Sequence, residues 1–197
     1  MGEATLEQWR EDIRRAALDG AEQSPGPVYC AGLSMGALLA LDLAAKGDFP
    51  IGAIAALAPP LGLGAVGRYL GATAQRLSWL RNAAVPKRGG PDIANGTPLA
   101  GAAALPLRGV HQLYRLIDDV ADSLAKVIAP LLIVHARQDH TAPVEGAYRL
   151  AAEATAAASL RLVILERSFH VITRDVESGR VSREVSSFFE RCLRAAN

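Results

Sequence analysis

The sequence predicts an α/β architecture: a partial, mostly parallel sheet of about four strands, flanked by helices and interrupted by a helical insertion. Three observations predict it. Four short apolar runs, Val28–Ala31, Ile51–Leu57, Leu131–Ala136 and Leu160–Glu166, lack the in-and-out alternation of a half-exposed strand and read as strands buried on both faces. Segments with apolar residues at helical spacing alternate with those runs. A stretch of about 61–128, broken by Gly and Pro clusters, interrupts the rhythm. The 197 residues suit one structural domain. It divides into a first part of the core (1–60), the insertion (61–128) and the remainder of the core (129–197).

The chain opens on a capping box, Thr5-x-x-Gln8, followed by Leu6, Trp9, Ile13 and Ala16 or Ala17 at helical spacing, with Gly20 at the expected end. A turn through Ser24-Pro25-Gly26-Pro27 feeds the first strand. From Gly36 the pattern is helical again through Leu38, Leu39, Leu41 and Leu43, with Lys46 in the last turn and Gly47 at the cap. The second strand closes on Pro59-Pro60. Within the insertion, Lys87–Pro91 and Gly96–Pro98 separate two helical patterns. The better one lines up Val110, Leu113, Tyr114, Ile117, Val120 and Leu124, with Asp118, Asp119 and Asp122 opposite on what reads as a solvated face. Pro130 introduces the third strand; a helix over Val144–Ala158, the fourth strand and a helix over Val181–Ala196 complete the order. Sheets of this kind hold their sites at the carboxyl ends of the strands, so the insertion reads as a lid there.

Composition narrows the function. Half the residues are hydrophobic and 21% charged, which excludes a disordered chain. Twenty-one Lys and Arg against 20 Asp and Glu give +1, so charge recommends neither nucleic acid nor a membrane surface as partner. Two long uncharged stretches, Gln23–Leu41 and Phe49–Gly67, are punctuated by proline and glycine and do not read as spanning helices. Cys30 and Cys192 read as buried thiols of a reducing compartment, and the charged opening is no signal peptide, so a cytoplasmic protein is expected. Asn95-Gly96-Thr97 therefore carries no weight as a glycosylation site.

The sharpest local signal is Gly32-Leu33-Ser34-Met35-Gly36, a G-x-S-x-G pentapeptide between an expected strand and an expected helix. A serine on so tight a turn is strained and held above the sheet, and the flanking glycines let strand and helix approach. The helix start aims the Met35 N–H at the place where an oxyanion would form. A serine nucleophile needs an oriented base. Of four histidines, His135 lies inside a strand run and reads as structural, His111 as a surface residue of a lid helix, and His140 follows Asp139 too directly to be oriented by it. His170 lies in the loop after the last strand, where a base belongs, and Asp139 lies just past the third strand. Ser34, Asp139 and His170 follow one another in the order nucleophile, acid, base.

Gly32–Gly36, Ala136-Arg137-Gln138-Asp139-His140 and Ser168-Phe169-His170-Val171-Ile172-Thr173 resemble the three signature regions of α/β-hydrolases, and more narrowly of small bacterial carboxylesterases and monoacylglycerol lipases. The resemblance implies hydrolysis of a small-molecule ester with a short or medium acyl chain, without cofactor or metal. It places the triad acid at Asp139 and the base at His170, and it implies a compact lid in which Leu61, Leu63, Val66, Tyr69, Leu70 and Trp79 are candidate apolar contacts. Ala37 departs from the group, which often has glycine there.

The same triad serves thioesterases, acyltransferases and peptidases, and a degenerate hydrolase kept for binding is the non-enzyme alternative. A nucleotide-binding module is disfavoured: Gly32-x-x-x-Gly36 lacks the Lys-Ser/Thr of a phosphate loop, and Lys87-Arg88-Gly89-Gly90 follows no expected strand. The resemblance also implies a segment before the Trp9 helix, roughly sixty residues by the usual sizes of strands and connections, with a His-Gly loop giving the second oxyanion donor. The sequence contains no His-Gly pair. The expectation is a truncated esterase of weak activity, whose edge at Val28–Ala31 is open unless a homodimer covers it.

Overall fold

The structure is a computed structural model that describes residues 5–23, 26–61, 84–86, 91–96 and 104–196. Its centre is a four-stranded, all-parallel sheet of β1 (Val28–Leu33), β2 (Ile51–Leu57), β5 (Leu131–Ala136) and β6 (Leu160–Leu165), in the spatial order β1-β2-β5-β6. The four apolar runs are these four strands. Helices α1 (Leu6–Gln23), α2 (Met35–Lys46), α3 (Leu107–Ala121), α4 (Glu145–Glu153) and α5 (Ser178–Ala196) surround it. A 3₁₀ turn at Leu124–Lys126 follows α3.

The two central strands are buried on both faces, which explains their missing alternation. β1 and β6 border the sheet among the described residues: β1 has no fully buried residue, and β6 opens exposed at Leu160 and Arg161. The expectation of double-sided burial is corrected for these two. Along β5, Leu131 and Ile133 enter a core with Leu38 and Leu41 of α2, Leu116 and Val120 of α3 and Leu150 of α4. Leu132, Val134 and Ala136 enter the other core with Val181 and Phe188 of α5. Truncating one of these fully buried leucines to alanine costs roughly 2–5 kcal/mol. Asp42 is the charge inside the otherwise apolar α2, and it is paired. Arg10 of α1 meets it at 2.9 Å (Nε) and 2.6 Å (Nη2), Lys46 approaches at 2.9 Å, and Arg10 also reaches Asp119 of α3 at 2.7 Å. The acidic face of α3 is thus solvated at Asp118 and Asp122, while Asp119 ties α3 to α1.

Several boundaries differ from expectation. α1 continues through Gly20 to Gln23, because the Ala-Glu-Gln that follows favours helix enough to absorb one glycine. α4 stops at Glu153, short of Ala158. Ala154 leaves helical geometry (φ −77°, ψ 57°), and the Ala158 N–H donates to Ile128 O at 2.9 Å on the way into β6. Within the insertion, β3 (Ala84–Pro86) and β4 (Ala104–Pro106) form an antiparallel pair too short to leave a periodic signal. Cys30 and Cys192 are free and half-buried rather than fully buried. Among the described residues, no helix is long and apolar enough to cross a membrane.

Candidate active site

The pentapeptide is the junction of β1 and α2. Ser34 has φ 55° and ψ −117°, outside the regions an L-residue prefers, at a cost on the order of 1–3 kcal/mol. Its N–H donates to Leu57 O (2.8 Å), fixing the turn to β2, and its carbonyl accepts from Ala37 and Leu38. The N–H groups of Met35 and Gly36 therefore precede the first intrahelical donor, the Ala37 N–H. Only one of the two glycines clears the crossing. A Cβ on Gly32 would stand 2.3 Å from the Gly36 carbonyl carbon, whereas one on Gly36 would meet nothing within 4 Å. The Gly36 backbone is what comes close, and the expectation that both flanking glycines are needed for lack of a side chain is corrected to Gly32.

The residues expected as acid and base arrive from the far half of the sheet. Asp139 lies in the loop after β5 and His170 in the loop after β6. His170 Nδ1 is 2.7 Å from Asp139 Oδ2, and His170 Nε2 is 3.0 Å from Ser34 Oγ. A carboxylate on the Nδ1 side fixes the proton there, which leaves Nε2 as an acceptor for the serine hydroxyl. The Asp139 side chain is fully buried, and Thr141 N–H (2.8 Å) and Ala142 N–H (2.7 Å) donate to its other oxygen. Burial alone would raise its pKa. Contacts from His135, His170 and the Ala142 amide outweigh burial and hold the carboxyl well below the usual carboxylate range. Of these the His135 contact is the weakest by geometry, at 3.4 Å from Asp139 Oδ2.

His135 is fully buried, and its Nε2–H donates to Ala142 O at 2.9 Å, bracing the acid loop from beneath. That bond leaves Nδ1 an acceptor with no partner among the described residues. The structural reading of His135 holds, and a lone histidine in an apolar strand four positions before the acid was the signal for this brace. His140 is exposed and packs edge-on against Phe169 (4.7 Å between centroids). His111 is half-buried in α3 rather than at the surface, and burial followed by Arg115 lowers its pKa.

Two further carboxylates shape the base loop. Asp175 accepts Phe169 N–H at 2.7 Å and Ala94 N–H at 2.9 Å. Glu177 accepts Arg167 N–H (2.9 Å), Ser168 N–H (3.1 Å) and the Ser168 hydroxyl (3.0 Å). Both are buried. Of the expected lid contacts, Leu61 is buried in the core with α2, and Leu63, Val66, Tyr69, Leu70 and Trp79 lie outside the described residues.

The sequence profile of a hydrolase family described as serine aminopeptidase, S33, matches residues 3–177. The chain belongs to this family. No curated protein matches the sequence. Solved structures share the fold of this S33-family hydrolase at low identity. A metagenome-derived lipolytic enzyme of the LipS and LipT pair superposes with a TM-score of 0.81 at 22% identity, over 96% of this chain and 75% of that one. The monoacylglycerol lipase of Paleococcus ferrophilus gives 0.75 at 16%, over 94% and 75%. A thermostable carboxyl esterase of Bacillus coagulans gives 0.77 at 15%, over 97% and 73%. The S33-family chain thus spans about three quarters of each of these neighbours.

Proposed function

We propose that this hydrolase cleaves carboxylic esters of small alcohols or glycerol through an acyl-enzyme on Ser34, with short or medium acyl chains as substrates. The observation that carries the proposal is the continuous line of hydrogen-bond contacts from Asp139 through His170 to Ser34, with the serine on a strained strand-to-helix turn. His170 Nε2 takes the proton as Ser34 Oγ attacks the ester carbonyl carbon. The Met35 N–H stabilises the oxyanion, and Asp139 balances the transient imidazolium. Collapse of the tetrahedral species breaks the carbon–oxygen bond to the alcohol, which leaves with the proton from His170. Water, deprotonated by the same nitrogen, then attacks the acyl carbon and releases the acid and free Ser34.

The ester reading draws on the names of the structural neighbours, which include a lipolytic enzyme, a monoacylglycerol lipase and a carboxyl esterase. It also follows from leaving-group chemistry, since an alcohol departs more readily than an amine. The family description favours a second reading, a peptidase acting on amides through the same residues. A fluorophosphonate probe with peptide mapping should modify Ser34. Turnover of p-nitrophenyl esters should exceed that of acyl thioesters and aminoacyl anilides. Modification elsewhere removes the nucleophile assignment, and a preference for anilides transfers the same triad to the peptidase reading.

A further inference from the structure

The short segment 91–96 lies between the two loops that carry the acid and the base, and it is bonded to both. The Thr141 hydroxyl donates to Asp92 Oδ1 at 3.0 Å, and the Val171 N–H donates to Asp92 O at 2.9 Å. Thr141 is also the residue whose N–H donates to Asp139, and Val171 directly follows His170. The contacts close a ring: His170 to Asp139, Asp139 to Thr141, Thr141 to Asp92, and Asp92 through Val171 back to His170. Ile93 is buried beneath the segment, and Ala94 is tied to Asp175 of the base loop. The segment is therefore anchored to the base loop through its backbone. Its Asp92 carboxylate reaches the acid loop at the Thr141 hydroxyl.

We propose that Asp92 is a positioning residue for hydrolysis, holding the Asp139 loop in register with the His170 loop. The proposal rests on the reading of Ser34, His170 and Asp139 as a triad. Apart from the Asp92 links, contacts between the two loops include the Asp139–His170 bond, the His140–Phe169 ring contact and the Gln138 amide on Glu166 O. The ring adds a path that runs through Thr141, whose N–H holds Asp139, and Val171, which follows His170, so it constrains the acid and the base themselves. Small displacements of reacting groups cost large factors in rate, up to about 10²-fold for 1 Å.

Three variants test this in the full chain. Asp92→Ala removes the acceptor, Thr141→Val removes the donor while keeping its backbone N–H on Asp139, and Asp92→Asn keeps an oxygen for the hydroxyl. Asp92→Ala and Thr141→Val should each lower kcat about tenfold with KM nearly unchanged. The double variant should be no worse than Asp92→Ala alone, because the contact that Thr141→Val removes is already broken there. Asp92→Asn should recover most of kcat, which a general loss of packing would not produce. Proton NMR of ¹⁵N-histidine-labelled protein gives a readout independent of turnover. The His170 Nδ1 proton should be sharp and far downfield in wild type and Asp92→Asn, and broadened by exchange in the other two. Should Asp92→Ala not fold, Thr141→Val decides alone. Unchanged kcat and an unchanged resonance in Thr141→Val overturn the proposal, as does a wild-type spectrum without that resonance. If wild type resists fluorophosphonate yet the resonance responds, the hydrolytic reading falls and the positioning of His170 by Asp92 stands.

Discussion

Ser34 carries the backbone strain and, in the proposed function, the chemistry, so substitutions there separate the two. Ser34→Ala should reduce ester turnover on the order of 10³-fold or more with circular dichroism unchanged, because triad members act as a unit. Ser34→Gly should be equally inactive yet melt higher than Ser34→Ala, since glycine accepts φ 55° and alanine does not. Equal melting temperatures would show that the turn stores no energy at this residue. The neighbouring glycines should behave unequally. Gly32→Ala collides with backbone at 2.3 Å and should abolish soluble expression or activity, whereas Gly36→Ala has room and should fold. The pentapeptide was legible because its pattern and its place between strand and helix both appear in the local sequence. Which glycine is indispensable was not, because the crossing of Gly32 against Gly36 is a fact of three dimensions.

At the level of elements, the base loop is held by carboxylates whose charge state matters. Burial would raise the pKa of Glu177, but the amides of Arg167 and Ser168 and the Ser168 hydroxyl overcome this and lower it. A carboxyl lowered in the native state contributes its full stability above its unfolded pKa, near 4.3, and loses it as pH falls through the lower native value. Glu177→Gln should therefore lose stability near neutral pH, and its deficit against wild type should shrink as the solution is acidified below about pH 4. A deficit constant from pH 7 to pH 3, followed by chemical denaturation, would mean that the carboxylate charge plays no part. β2 and β5 were readable since double-sided burial leaves a solid apolar run, and β1 and β6 since short β-favouring runs remain apolar even at the border of the sheet. The contacts of Asp92, Asp175 and Glu177 were not, because their partners are loop amides with no periodicity, and Asp92 is separated from Thr141 by 49 positions. Asp42 could have been flagged as a charge in an apolar helix that demanded a partner. Arg10 was beyond inference until α1 was packed on α2.

Across the whole molecule, the proposed catalytic groups straddle the sheet. Ser34 follows β1 at one border and His170 follows β6 at the other, so three inter-strand spacings, about 14 Å, lie beneath the triad. Among the described residues β1 pairs on one side with β2, and Val28–Leu33 carries no charge to discourage another strand. We propose that this border mediates self-association between two copies of the chain, the homodimer expected from the sequence. Sedimentation should show a concentration-dependent dimer that Ala31→Lys, an exposed position on β1, converts to monomer; a monomer at all concentrations would end that reading. Border strands open at lower free energy than central ones. Turnover then meters the integrity of the weakest strand rather than of the whole fold. Mild urea that detaches β1 should silence the enzyme while far-ultraviolet ellipticity stays native, leaving an inactive population that recovers at once on dilution. Coincident loss of turnover and ellipticity would instead mean that nucleophile and base unfold as one cooperative body.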